Sequence, residues 1–99
     1  GGRTIFKAVL GYVHAHAGHR AEAVVLLNEL KDLAHKRFVP AFEIALIYAG
    51  LGEKDQAFEW LGRAYAEHDP FLLYLKVDPN FDSLRDDPRF QEILQKMNF

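Results

Sequence analysis

The chain has 99 residues, enough for one domain with one core but not for several independent ones. With 49% apolar residues, 26% charged residues and a formal charge of −2, it has a globular composition and lacks the basic excess that nucleic-acid binding calls for. The absence of cysteine excludes disulfides and thiolate metal sites and suits a reducing cytoplasm.

The first predicted helix covers residues 4–16. Ile5, Phe6, Val9, Leu10 and Val13 span an arc of roughly 140° on it at 100° per residue, an apolar edge on what would be a terminal helix. A terminal helix with no neighbour is expected to be more polar there. Either further helices cover this edge in a longer protein, or two copies meet along it. The stretch that follows, "VHAHAGHRAEA" (Val13 to Ala23), holds three histidines in six residues. His14 and His16 point about 200° apart on a helix, and Gly18 interrupts the spacing between His16 and His19. A zinc site needs three or four converging ligands. The reading is therefore a hinge between two helices, with no metal and no cofactor.

The second helix is predicted at 20–35 and the third at 40–50, where Pro40 suits a first-turn position. Glu43 is the only charge on this third helix, which is apolar nearly all round. No apolar run here or elsewhere approaches the ~18 residues of a membrane span, and no basic-then-apolar leader opens the chain. Gly50 and Gly52 bracket a turn into the fourth helix, 53–67. Ala57, Phe58, Trp60, Leu61, Ala64 and Tyr65 share an arc of roughly 160° there and are expected to be core.

These elements repeat. "AGHRAEAVVLLNEL" (Ala17 to Leu30) aligns with "LGEKDQAFEWLGRA" (Leu51 to Ala64), placing Gly18 on Gly52, Ala23 on Ala57 and Leu27 on Leu61, each offset being 34 residues (52 − 18). A fixed period of this length marks stacked helical units. In this the chain resembles the tetratricopeptide repeat (TPR) family over about residues 5–70. The resemblance places Gly11, Ala23, Ala45, Ala57 and Ala64 at the family's helix crossings and Tyr48 at its large aromatic position late in the first helix of a unit. Small residues suit crossings because helix axes approach within ~8–10 Å only where side chains are short. Lys7 and Ala41 stand where the family has an early tryptophan, and Leu30 replaces a small residue.

After residue 68 the pattern changes. Asp69-Pro70, Asp78-Pro79 and Asp87-Pro88 each place a capping carboxylate before a first-turn proline. Short helices are predicted near 70–76 and 79–85, and a longer one at 88–97 with Phe90, Ile93, Leu94 and Met97 on one face. The tail resembles the atypical end unit that closes a repeat array. "AGLGEKDQAFEWL" and "YLKVDPNFDSLRDDPRF" are also similar to the C-terminal ends of TPR modules in bacterial multidomain regulators. The expected fold is all-α: a short α-solenoid of two TPR-like helix-turn-helix repeats over 1–68, with 69–99 as short capping helices of the same domain.

The search for chemistry is thin. Ser83 is the only serine and Thr4 the only threonine, neither in a glycine elbow, and there is no glycine-rich phosphate loop. No catalytic residue is assigned. The resemblance implies that the first helix of each unit lines a concave groove. Its wall would be Tyr12 and His16 from the first unit and Phe42, Leu46 and Ala49 from the second, with Ala8 and Ala15 beside them. The functional reading is an apolar groove that holds a helix or peptide of a protein partner. Leu46→Asp would then abolish binding and spare helicity. Three alternatives stay open: the tail (Phe71, Phe81 or Phe90) fills the groove, the chain self-associates through its first helix, or Tyr12, His16 and Glu43 serve a small-molecule pocket.

Overall fold

A computed structural model describes residues 4–36, 39–68, 72, 75 and 79–97. The fold is all-α, with no strand among the described residues. Five α-helices follow in order: α1 (Thr4–His16), α2 (Arg20–Ala34), α3 (Ala41–Leu51), α4 (Lys54–Ala66) and α5 (Pro88–Lys96). A 3₁₀ helix, Pro79–Leu84, precedes α5. The predicted helix at 70–76 lies outside the described residues except for Leu72 and Leu75, both buried and joined by a Leu75 N–H to Leu72 C=O bond of 3.0 Å.

Helix α1 packs on α2 and on α3, α3 packs on α4, and the 3₁₀ helix and α5 continue onto α3 and α4 respectively. The starts of α2, α4 and α5 at Arg20, Lys54 and Pro88 are 34 residues apart in both steps (54 − 20, 88 − 54). The 34-residue step between helix starts thus continues into the tail, where a 3₁₀ turn precedes α5.

The crossings form where side chains are smallest. Ala8, Ala23, Ala45, Ala57 and Ala64 are fully buried, and Gly11 is buried on α1. A Cβ on Gly11 would stand 2.7 Å from Cδ1 of Ile47, so α1 and α3 touch there with no room for a methyl group. Gly50 corrects the sequence reading. It lies inside α3 rather than in the turn, and a Cβ there would meet Tyr12 Cδ1 at 2.9 Å and the Ala15 Cβ at 3.1 Å. It too is a close-approach residue.

The turns behave as the glycine pattern implies. Gly18 and Gly52 take φ of +87° and +78°, the left-handed region where only glycine escapes Cβ strain. Around Gly52 the chain closes with Glu53 N–H donating to Tyr48 C=O at 3.0 Å. Pro40 sits one residue earlier than expected, as the N-cap of α3, and its carbonyl accepts the Glu43 N–H at 3.1 Å. Its fixed φ of −57° suits either place.

Helix α3 is the centre of the molecule. Every residue from Ala41 to Ala49 is buried, Glu43 included at 1% exposure. Its all-round apolar composition is that of a helix enclosed on every side. On α4, Ala57, Phe58, Leu61 and Ala64 are buried as expected, and Trp60 is half-buried. Tyr65 departs from the expectation: it is 40% exposed, and its hydroxyl donates to the Lys96 carbonyl at 3.3 Å. A phenol at the edge of the stripe can keep its polar tip near water.

Asp87 caps α5 as its Asp-Pro sequence predicts, accepting the Arg89 N–H at 2.9 Å with Pro88 in the first turn. The matching roles assigned to Asp69 and Asp78 lie outside the described residues.

Candidate functional site

The five predicted groove residues separate into two groups. Phe42, Leu46 and Ala49 are 3–4% exposed and belong to the core, which corrects their assignment as an open wall. For Phe42 the physical reason is the tail. The 3₁₀ helix lies on α3 and inserts Phe81, itself 0% exposed, with its ring centroid 5.0 Å from that of Phe42. Aromatic rings at this separation attract beyond simple burial. Of the three phenylalanines considered as fillers, Phe81 is the one against Phe42. Phe90 is buried in α5, and Phe71 lies outside the described residues.

Tyr12 and His16 remain accessible. Their rings stack at 5.7 Å with an interplanar angle of 13°, as i and i+4 neighbours on one helix can. They line an open notch of about 410 Å³ together with Ala49, Gly50, Leu51, Gly52, Lys54, Asp82 and Ser83. The notch therefore brings together three of the predicted residues (Tyr12, His16 and Ala49), while Phe42 and Leu46 lie elsewhere. Of their predicted neighbours, Ala8 is fully buried and Ala15 is half-buried against α3. Glu43, grouped with Tyr12 and His16 in the small-molecule alternative, is buried in the first turn of α3 and does not line the notch.

A larger open cleft of about 490 Å³ was not foreseen. Its walls come from α2 (Lys31, Ala34), the α2–α3 connection (His35, Val39), Ala41, and α4 (Gln56, Glu59, Trp60, Arg63, with Glu67). The Arg63 guanidinium lies 4.3 Å over the Trp60 ring, within cation–π range. Lys31 reaches inward, its Nζ donating to the Tyr48 hydroxyl at 3.1 Å. Periodicity placed Trp60 in the core because it scores ring and methylene alike. The neighbouring arginine, i+3 on the same helix, was the available sign that one ring face meets a cation.

The histidine hinge closes on itself. Nδ1 of His14 and Nδ1 of His19 stand 3.3 Å apart across the Gly18 turn, a pair that the spacing argument passed over. Among the described residues no group of three or more histidine, aspartate or glutamate side chains is placed to hold a metal ion. No helix among them is long and apolar enough to cross a membrane.

The first helix carries the most distinctive surface. Phe6 is 77% exposed, Val9 46%, Leu10 49% and Val13 53%, while Ile5, on the same predicted edge, turns partly into the core. The exposed four form a narrow stripe on the side of α1 away from its buried Ala8 and Gly11. Beside it Lys7 is engaged by Glu29 of α2 at 2.9 Å. The four side chains make one run of exposed apolar surface along α1. Comparison of the chain with protein-family models, curated proteins and solved structures yields no match to any of them.

Proposed function

We propose that this chain is a non-catalytic protein-interaction module, a short TPR-like helical scaffold that binds a helix or peptide and serves a larger bacterial regulatory protein in the cytoplasm. The TPR reading draws support from the 34-residue step, the alanines at the helix crossings and the left-handed glycines at both turns. The interaction reading rests on one observation: α1 presents Phe6, Val9, Leu10 and Val13 to solvent, while Glu43, Ile44 and Ile47, the α3 residues 34 positions after the last three, are buried. The docking surface is thus moved from the predicted groove to the outer side of α1. An amphipathic helix laid along α1 would engage it through side chains spaced three and four residues apart.

The test is direct. A hydrophobic dye or a model amphipathic helical peptide is expected to bind the wild-type chain, and Leu10→Glu is expected to remove that binding with unchanged helicity, because Leu10 is half in water already. Binding that survives Leu10→Glu would sink the assignment to α1. Self-association is the second reading, favoured by the internal symmetry of the same stripe.

A further inference from the structure

We propose that the occupant of the α1 stripe is the same stripe on a second copy of this chain, laid antiparallel about a two-fold axis passing between Val9 and Leu10. The proposal rests on the interaction reading above and names its partner. Four observations carry it. First, the exposed residues are symmetric about their own midpoint: Phe6 and Val13 stand equally far to either side of the Val9–Leu10 step. An antiparallel two-fold therefore sets Phe6 against Val13 of the other copy and Val9 against Leu10, so that the patch is complementary to itself, as a two-fold interface requires. Second, each of these pairs joins a larger side chain to a smaller one, which lets two rows interdigitate. A parallel arrangement would oppose Phe6 to Phe6 and Val13 to Val13.

Third, charge is compatible. No charged residue lies among the exposed four, and Lys7 at the border is already neutralised by Glu29 of its own α2. In the antiparallel register Lys7 comes level with Tyr12 of the other copy, not with its own counterpart, and the two helix dipoles oppose rather than align. Fourth, the area is small. Four partly exposed side chains fall below the ~800 Å² per partner of a standard interface, which points to a reversible rather than an obligate dimer.

The test uses the intact chain and sedimentation equilibrium from micromolar to millimolar concentration, with circular dichroism as the control for folding. The wild type is expected to shift from monomer to dimer. Val9→Lys and Leu10→Glu are each expected to remain monomeric, with at least a tenfold loss of affinity, and the double variant to recover dimerisation, since each lysine then faces a glutamate. A monomeric double variant beside a dimerising wild type overturns the antiparallel register. A wild type that stays monomeric with full helicity yet binds the amphipathic peptide at α1 overturns the second copy and leaves the interaction module standing. One that stays monomeric and binds no peptide overturns both. Because the chain has no cysteine, Phe6→Cys mixed with Val13→Cys gives an independent readout. Oxidation is expected to cross-link the mixture and not Phe6→Cys alone, and the reverse outcome indicates parallel helices.

Discussion

At the scale of single residues, three glycines on helices have opposite meanings. Gly11 and Gly50 are spacers: a methyl group on the first would press on the fully buried Ile47, and one on the second would reach 3.3 Å from the Tyr12 carbonyl oxygen. Gly62, on α4, has nothing within 4 Å of where its Cβ would be. Gly50→Ala is therefore expected to destabilise the fold by about 1–3 kcal/mol of steric strain, only partly offset by helix propensity. Gly62→Ala is expected to stabilise it by about 0.5–1 kcal/mol, because alanine loses less backbone entropy on folding. Thermal unfolding separates them, at roughly 4–8 °C per kcal/mol for a domain of this size, with shifts in opposite directions. Gly11 could be read from the repeat register, as could the buried alanines. Gly50 could not, since a glycine two residues before a turn glycine looks like part of the turn until α1 is seen against it.

At the scale of elements, the docking of α5 is specified by a cluster centred on Arg89. Its guanidinium donates to Asp87 Oδ2 at 2.9 Å and to Asp55 Oδ1 on α4 at 2.8 Å, and it lies 4.5 Å over the Phe58 ring. The Asp87 carboxyl is held down from its ordinary 3.8 to about 2, first by the side-chain hydrogen bond from Arg89 and then by the Arg89 backbone N–H. The folded state therefore prefers the ionised form more strongly than the unfolded chain does. This stabilisation is fully present above the ordinary value and is lost as pH falls through the folded one, between about pH 4 and 2. The melting temperature of Asp87→Asn is expected to lie below that of the wild type at pH 6 and to converge with it by about pH 2. A gap that stays constant over that range would mean that Asp87 acts without its charge. Arg89→Lys is expected to behave nearly as Arg89→Ala, because an ammonium cannot fork to two carboxylates and lie flat on a ring. The Asp-Pro cap of α5 was legible, since it needs only local sequence. The partner Asp55, thirty-four positions away, was not.

At the scale of the whole molecule, the decisive contact is Phe81 on Phe42. A radius of gyration of 12.5 Å is close to the ~13 Å of a compact domain of about 100 residues, so the helices and their tail pack into one compact, somewhat flattened body of 34 × 29 × 19 Å. Truncating Phe81 to alanine is expected to cost about 3–5 kcal/mol and to open the α3 face to a hydrophobic dye. Leu46→Asp, which an open groove would have tolerated, is expected instead to abolish the cooperative melt, because a carboxylate would be buried among apolar neighbours. Retained helicity in Leu46→Asp, seen by circular dichroism, would restore the groove.

Much of this was determined by sequence alone. The helical period, the 34-residue step, the left-handed glycines and the small residues at the crossings are local or repeating features, and each is a matter of backbone sterics or of side-chain size at a fixed spacing. The tertiary structure decided which apolar faces found partners. Composition made the outer side of α1 and the face of α3 look alike, as two apolar stripes on neighbouring helices. Only the packing of α1 and of the 3₁₀ helix with Phe81 onto α3, beside the exposure of Phe6, Val9, Leu10 and Val13 on the outer side of α1, distinguishes the core face from the exposed one. That choice depends on where a distant segment of chain comes to rest, and no periodicity within either helix encodes it.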